Sequence, residues 1–437
     1  MSGGLILAAA ASGSGKTTLT LALLRHLRKN GRRVASAKAG PDYIDPGFHD
    51  AASGAPCLNL DAWAMRRETM AALVAALERQ ADLVICEGAM GLFDGAGKSG
   101  HGSTADLAAL TGWPVVLVVD VAGQSGSAAA LLRGFTGHRP DVPIAGVIFN
   151  RVGGPRHAAT LDSSVHTALP RLRILGHVPR LAELALPERH LGLVQASEHE
   201  DLDRFLDRAG DLIASAVDVA AVEKLACASR LASMTPPRPL DPLGQRIAVA
   251  RDVAFAFAYP SVIEGWRSAG AALDFFSPLA DEPPAAAADA VFLPGGYPEL
   301  HAGKLAGNRR FLDGLRQAAQ RGATVYGECG GYMVMGRGLA DAAGMRHQMA
   351  DLLPLETTFA ERRRQLGYRA VRLEAAGALG AAGEAFRGHE FHYATILAEG
   401  EGAPLFTVRD ADGAVLGAMG RAQGRIAGSF LHLIDRA

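Results

Sequence analysis

Apolar residues in the first half of this chain fall in short unbroken runs rather than in alternation. The runs are GLILAAA (4–10), RVASAK (33–38), DLVICEG (82–88), PVVLVVD (114–120), IAGVIFN (144–150) and RILGHV (173–178). A strand that is apolar on both sides must be covered on both sides, which is the condition of a parallel sheet between helix layers. The intervening stretches have helical spacing. The clearest is TTLTLALLRHLRKNG (17–31), which closes on Gly31, a residue suited to the left-handed turn past a helix end. Strand and helix signals in alternation predict an α/β domain.

Residues 200–232 are alanine-rich and charged and read as one or two helices. MTPPRPLDPLG (234–244) follows, with four prolines that remove backbone donors and forbid regular structure. Strand runs then restart at 246–250, 272–276, 290–296 and 323–328, with later ones expected at 369–373, 388–393, 404–408 and 425–431. The expected organisation is an α/β domain over 1–195, a helical connection and proline-rich linker over 196–244, and a second α/β domain over 245–437.

Composition narrows the partners. The formal net charge is −1 and no basic block stands out, which argues against nucleic acid. Cys57, Cys86, Cys227 and Cys329 are far apart and form no CxxC pair, so neither a zinc site nor a disulfide framework is expected; a reducing cytoplasm suits them. The apolar start GLILAAAASG has no Lys or Arg before Lys16, unlike a secretory signal. No apolar run reaches the roughly 18 residues of a membrane helix, so no membrane partner is expected. A homodimer is expected only because two-fold assemblies are the commonest.

Two segments carry chemistry. The first, AASGSGKT (10–17), is a phosphate-binding loop with Ala10 at the usual first glycine. It follows a predicted strand and opens a predicted helix, the context the motif needs. Gly13, Ser14, Gly15, Lys16, Thr17 and Thr18 are the expected ATP-binding residues: backbone N–H groups and the helix N-terminus face the phosphates, Lys16 reaches the β and γ groups, and the Thr17 hydroxyl holds Mg2+. Lys38, Glu87 and Asn150 end predicted strands, where ligands sit in open α/β sheets, and Asp42 and Asp45 follow in GPDYIDP. Thr17, Asp42 and Glu87 are the expected metal residues, with Glu87 acting directly or through water. Lys38 is expected at the nucleotide, and Asn150 at an adenine edge.

The second segment is ATVYGECGGYM (323–333), where glycines crowd Cys329 directly after a strand. The flanking glycines are read as permitting a strained strand-to-helix turn that exposes the sulfur and lowers its pKa by the helix N-terminus. Backbone N–H groups of Gly330 and of Gly296, in LPGGYPE (293–299), are the expected oxyanion donors. His432, in GSFLHL, is the expected base, placed at the end of the strand 425–431.

A cysteine elbow, an upstream PGG turn and a late histidine together resemble the class I glutamine amidotransferase domain. That family carries His-x-Glu, but Ile434 stands two residues after His432, which resembles the cobyric and cobyrinic acid synthase branch. KAGPDYIDPGFH (38–49), EGAMGLFDG (87–95), LPERHLGLV (186–194) and GHEFHY (388–393) look like signature segments of cobyrinic and hydrogenobyrinic acid a,c-diamide synthases. The first domain is similar to dethiobiotin synthetase. The resemblance implies a ligase that uses glutamine, ATP and Mg2+ to amidate the a and c acetates of a corrin through an acyl phosphate. It implies ammonia release at Cys329, roles for Asp42, Tyr43 and Asp94 at the corrin or acyl phosphate, and an orienting or inter-domain part for His389, Glu390 and His392. The competing readings are an amidase of another tetrapyrrole such as nickel sirohydrochlorin, a cobyric acid synthase, and a partitioning-type switch ATPase. The last would carry a lysine where Ala11 stands and would lack a glutaminase half.

Overall fold

The computed structural model describes residues 2–180, 188–189, 192–193, 195–233 and 235–437. The chain divides into two compact units, one of Met1–Trp63 with Met70–Pro236 and the other of Ala64–Thr69 with Pro237–Ala437.

The first unit is built on a seven-stranded sheet of β1 (Gly3–Ala9), β2 (Val34–Ala39), β3 (Leu58–Leu60), β4 (Leu83–Glu87), β5 (Val115–Asp120), β6 (Ile144–Val152) and β7 (Arg173–Pro179). Its order is β3-β2-β4-β1-β5-β6-β7, and every pairing is parallel. Every residue of β1, β2 and β4 is buried, as their unbroken apolar runs require. β3 escapes sequence reading because three residues cannot display a period. The chain lays β2, β3 and β4 on one side of β1 and β5 to β7 on the other, so the loop after β1 opens at the switch point of the sheet.

α1 (Lys16–Lys29) leaves that loop and buries Leu19, Leu21, Leu23, Leu24 and Leu27. The helix Leu202–Ala216 lies against it through Phe205, Leu206, Ala209 and Ile213, and Arg25 on α1 donates to Asp207 at 2.7 Å. The alanine-rich stretch expected as a connection is therefore a layer of the first unit, because its apolar face has α1 to cover. The signature segment 186–194 lies outside the described residues, apart from the paired backbone strands Glu188–Arg189 and Gly192–Leu193. Among the described residues no helix is long and apolar enough to cross a membrane.

The second unit holds a ten-stranded mixed sheet. Its parallel part is Ala272–Phe276, Arg246–Ala250, Ala290–Leu293, Thr324–Glu328 and Ile426–Ser429, in that spatial order. It continues antiparallel through Val415–Gln423, Ala403–Asp410, Gln365–Leu373, Ala385–His392 and Leu431–Arg436. A smaller sheet of Gly338–Ala340, Arg346–Gln348, Leu355–Thr358 and Thr395–Glu399 adds to it.

The single strand expected over 425–431 is two strands broken at Phe430, so His432 sits near the start of the last strand rather than at the end of its predecessor. Ile426–Ser429 pairs with the strand leading to Cys329, whereas Leu431–Arg436 is the far edge of the sheet. Only Phe430 separates them, so the antiparallel strands must curl until the last one returns to the cysteine strand. The Leu433 N–H donating to Glu328 Oε1 at 3.0 Å closes that curl. Ala64–Thr69 joins this unit beside the same strand: the Arg66 backbone and guanidinium donate to the fully buried Asp435 at 2.7–3.1 Å.

Phe430 anchors the crossing, stacked on His392 at 4.0 Å between centroids and edge-on to Tyr332 at 5.5 Å. Phe430→Ala should lower stability by about 3–5 kcal/mol, the usual cost of truncating a buried phenylalanine. Chemical denaturation followed by intrinsic fluorescence reads the shift, and a midpoint equal to wild type would show that the ring does not anchor the crossing.

Candidate active sites

The loop after β1 has the geometry of a phosphate cradle. Gly13 and Gly15 have φ of 77° and 84°, where side chains are disfavoured. A methyl group on Gly15 would also lie 2.2 Å from Asn150 Nδ2. Ser14 Oγ donates back to Ala11 O at 2.8 Å and ties the loop to itself. Asn150 proves to be a brace for the loop. Its Nδ2 donates to Ser14 O at 2.8 Å and its Oδ1 accepts from Arg151 N at 2.9 Å, so each end of its amide holds backbone.

Beneath the loop lies a buried charge network. Glu87 is fully buried at the end of β4. Its Oε1 accepts from Thr17 Oγ1 at 2.6 Å and Lys38 Nζ at 2.8 Å, with Lys16 Nζ at 3.8 Å; its Oε2 faces His49 Nε2 at 2.7 Å. Lys38 also pairs with Asp45. Burial alone would raise Glu87, but Lys38, His49 and Lys16 hold it well below the usual carboxylate range. Burial opposes the charge of Lys38, yet Asp45 and Glu87 hold its pKa well above the ordinary value. Lys16 is lowered by burial, which Glu87 offsets only in part. Asp45 is pushed up to about 6 by burial and by Asp42.

The donor set suits Mg2+, which keeps waters and substrate phosphates and needs few protein ligands. Because Thr17 donates its proton to Glu87, its oxygen lone pairs remain for a metal. Among the described residues no group of three or more His, Cys, Asp or Glu side chains could hold an ion, so waters and phosphate oxygens would complete the shell. Asp42 turns Oδ1 onto the N–H groups of Ile44 and Asp45, at 2.8 and 3.2 Å, and so starts the helix α2 (Asp45–Ser53). Asp94 uses Oδ2 to accept from Gly91 N at 2.9 Å, which shapes the loop after β4. Thr18 and Tyr43 are partly exposed, on the first turn of α1 and in the loop before α2. His49 is the residue that sequence reading missed. It stands four after Asp45, one helical turn along the same face, and that spacing was the available signal.

In the second unit Cys329 sits at the end of its strand with φ 47° and ψ −106°, a conformation costly for any side chain. Two expectations need correction. The strained residue is Cys329 itself; Gly327, Gly330 and Gly331 are not in the left-handed region. Those glycines allow close packing instead, since a methyl on Gly331 would lie 2.0 Å from Leu293 O and one on Gly327 2.4 Å from Met335 Sδ. The sulfur is also not exposed. Cys329 is 3% accessible, and burial, with Glu299 nearby, pushes its thiol up rather than down. The helix after it, Gly330–Met335, is too short to reverse this.

The other elbow residues do come together. A methyl on Gly330 would lie 3.0 Å from Gly296 N, so the two expected oxyanion amides are neighbours. A methyl on Gly295 would lie 2.2 Å from His432 Cε1, 3.0 Å from its Nε2 and 3.2 Å from Cys329 Cβ. That glycine therefore keeps open the space between thiol and imidazole. Burial, with His389 and His392 near, lowers His432 to about 3, so the resting ring is neutral.

His389 pairs with His432 across the two antiparallel strands. Glu390 accepts from Arg369 Nε at 2.8 Å and faces His392 Nε2 at 3.0 Å, and Cys329 Sγ lies 3.9 Å from Phe391 O. GHEFHY thus backs the elbow from within this unit. Glu328, also missed, places Oε2 at 3.8 Å from His432 Nδ1. Neighbours along a strand point apart, so nothing in the sequence signalled that residues 328 and 329 lie beside one histidine.

Comparison with known proteins identifies both domains. A model of the CobQ/CobB/MinD/ParA nucleotide-binding domain matches residues 5–194, and a model of the CobB/CobQ-like glutamine amidotransferase domain matches 246–436. Relatives named hydrogenobyrinate a,c-diamide synthase align along nearly all of the chain. That of Brucella anthropi is 54% identical over 435 residues, covering 99% of this chain and 98% of its own. That of Rhizobium meliloti is 54% identical over 437 residues, 99% of each chain, and that of Rhodobacter capsulatus 52% over 440 residues, 99% and 98%. At this identity, along nearly the whole of each chain, the protein belongs to the hydrogenobyrinate a,c-diamide synthase family.

Proposed function

We propose that this protein converts the a and c acetate carboxylates of hydrogenobyrinic acid to amides, using ATP and glutamine, as a step of cobalamin synthesis. The observation that carries the reading is the presence, in one chain of this family, of a buried Lys16–Lys38–Glu87 phosphate site and of a cysteine strained against a neutral histidine.

The chemistry needs both. A carboxylate is a poor electrophile. Transfer of the γ-phosphoryl group of ATP to a corrin carboxylate gives an acyl phosphate and ADP, and ammonia then displaces phosphate to leave the amide. Lys16 and the loop N–H groups carry the phosphate charge, and Lys38 steadies Glu87 and Asp45. Mg2+, held by Thr17 with Glu87 behind it and Asp42 nearby, would neutralise charge on the transferred group. Tyr43 and Asp94, in the loops after β2 and β4, are assigned to the corrin or acyl phosphate.

Ammonia comes from glutamine. The Cys329 thiol passes its proton to His432 Nε2 as sulfur attacks the side-chain amide carbon, and the oxyanion is received by the N–H groups of Gly330 and Gly296. His432 returns the proton to the leaving nitrogen, and water then hydrolyses the thioester to glutamate. Because burial keeps the free thiol protonated, the attack waits for a bound glutamine.

Cys329→Ala should abolish glutamate release while amidation driven by ammonium salts persists; equal loss with both nitrogen donors would refute separate sites. Lys16→Ala should cost at least about 10²-fold in amidation with either donor, the scale of losing one preorganised transition-state charge. Unchanged turnover with ammonia would remove this loop from catalysis. Mass spectrometry of hydrogenobyrinic acid, cobyrinic acid and nickel sirohydrochlorin incubated with Mg-ATP and glutamine tests the substrate. Two successive amidations of hydrogenobyrinic acid are expected, and none on that ring would refute the assignment.

A further inference from the structure

We propose that Glu328, the residue immediately before the nucleophile, is the positioning carboxylate of His432 and takes the place that Ile434 leaves empty. This rests on the glutaminase reading above.

Four observations carry it. The two faces of the His432 ring are occupied differently. Nε2 is the ring nitrogen nearer Gly295, on the side of Cys329, and Nδ1 lies 3.8 Å from Glu328 Oε2. That separation exceeds a hydrogen bond, but catalytic hydrogen bonds are often long before substrate binds. Second, the carboxyl group is held in place: Oε1 accepts from Leu433 N at 3.0 Å and Tyr326 OH at 3.1 Å, which leaves Oε2 facing the ring. Third, Leu433 directly follows the histidine, so the hydrogen bond that closes the curled sheet also fixes carboxylate and imidazole to each other. Fourth, Glu390, another buried carboxylate of this site, is committed elsewhere, because its Oε2 pairs with Arg369 and its Oε1 with His392.

The role follows from proton placement. To accept the thiol proton, Nε2 must be bare, so the neutral ring must carry its proton on Nδ1. An ionised Glu328 favours that tautomer and stabilises the imidazolium that forms when Cys329 gives up its proton. Burial holds the resting carboxyl up to about 8, so the orienting form is the ionised fraction, which an imidazolium beside it favours. A neutral amide at this position does the reverse. With its oxygen kept by the Leu433 N–H, a glutamine side chain would present NH2 to Nδ1. That forces the proton onto Nε2 and closes the base to the thiol.

The test compares glutamate release from glutamine by wild type, Glu328→Gln and Glu328→Asp, each also in a His432→Ala background. Glu328→Gln is expected to lower kcat by about 10²–10⁴-fold, the range set by misorienting a catalytic histidine, with the KM for glutamine little changed. Glu328→Asp, which keeps the charge, is expected to retain more activity. In the His432→Ala background neither substitution should cost anything further, since groups acting as a unit are not additive. Glutaminase close to wild type in Glu328→Gln, equal loss in both variants, or the same fold loss without His432 would each overturn the inference. Equal loss is the result expected of a merely structural carboxyl group, including one whose removal unfolds the chain. A wild-type chain that releases no glutamate would instead overturn the glutaminase reading, and this inference with it.

Discussion

An ionisable side chain cut off from water must meet an opposite charge or give up its own, and the two sites of this protein resolve that constraint in opposite ways. In the first unit the charges are matched. Lys38 stands between Glu87 and Asp45, Lys16 stands at the edge of the same set, and Glu87 remains ionised although it is fully buried. In the second unit the charges are surrendered. Cys329 is held as a thiol, His432 as a neutral ring, and Glu328 as a carboxyl group that ionises only near 8. A site that must accept several phosphate charges gains from cations already fixed in place. A site that must not react before glutamine arrives gains from a thiol that stays protonated.

The same contrast appears in the backbone. The phosphate loop places its unusual φ values on Gly13 and Gly15, where they cost little. The elbow places its own on Cys329 and spends its glycines on close approach, letting the short helix press against Leu293. Strain on a nucleophile persists only where the surroundings over-determine it. Here they do, because Cys329 N donates to Ser429 O at 2.8 Å and Gly331 N donates to Pro294 O at 3.1 Å. The turn is clamped between two neighbouring strands.

Much of this was legible in the sequence because its signals are local. The strands of the first sheet, the phosphate loop and the cysteine turn each occupy one short window with its own period or composition. What was illegible depends on the sheet's path. The curl that returns Leu431–Arg436 to Thr324–Glu328 turns on one buried ring at Phe430, and nothing near 430 announces it. For that reason Glu328 passed unnoticed although it adjoins the nucleophile, and His432 was placed at the end of the wrong strand. Asn150 carries a part that its position could not announce: near the end of its strand, its amide braces the phosphate loop through Ser14 O.

The departure at Ile434 then has a physical reading. Along Leu431–Arg436 side chains alternate, so His432 and Ile434 share a face, and Ile434 is 1% accessible. A glutamate there would place one more carboxylate in a region that already buries Glu328 and Glu390. Like charges so placed raise one another's pKa and spoil the orienting group. Moving the carboxylate to the residue before the cysteine avoids that. It joins acid, base and nucleophile through one hydrogen bond, Leu433 N to Glu328 Oε1, which is also the bond that closes the sheet. In this unit the geometry of the reaction and the closure of the fold are one constraint, and a change that loosens the curl loosens the base.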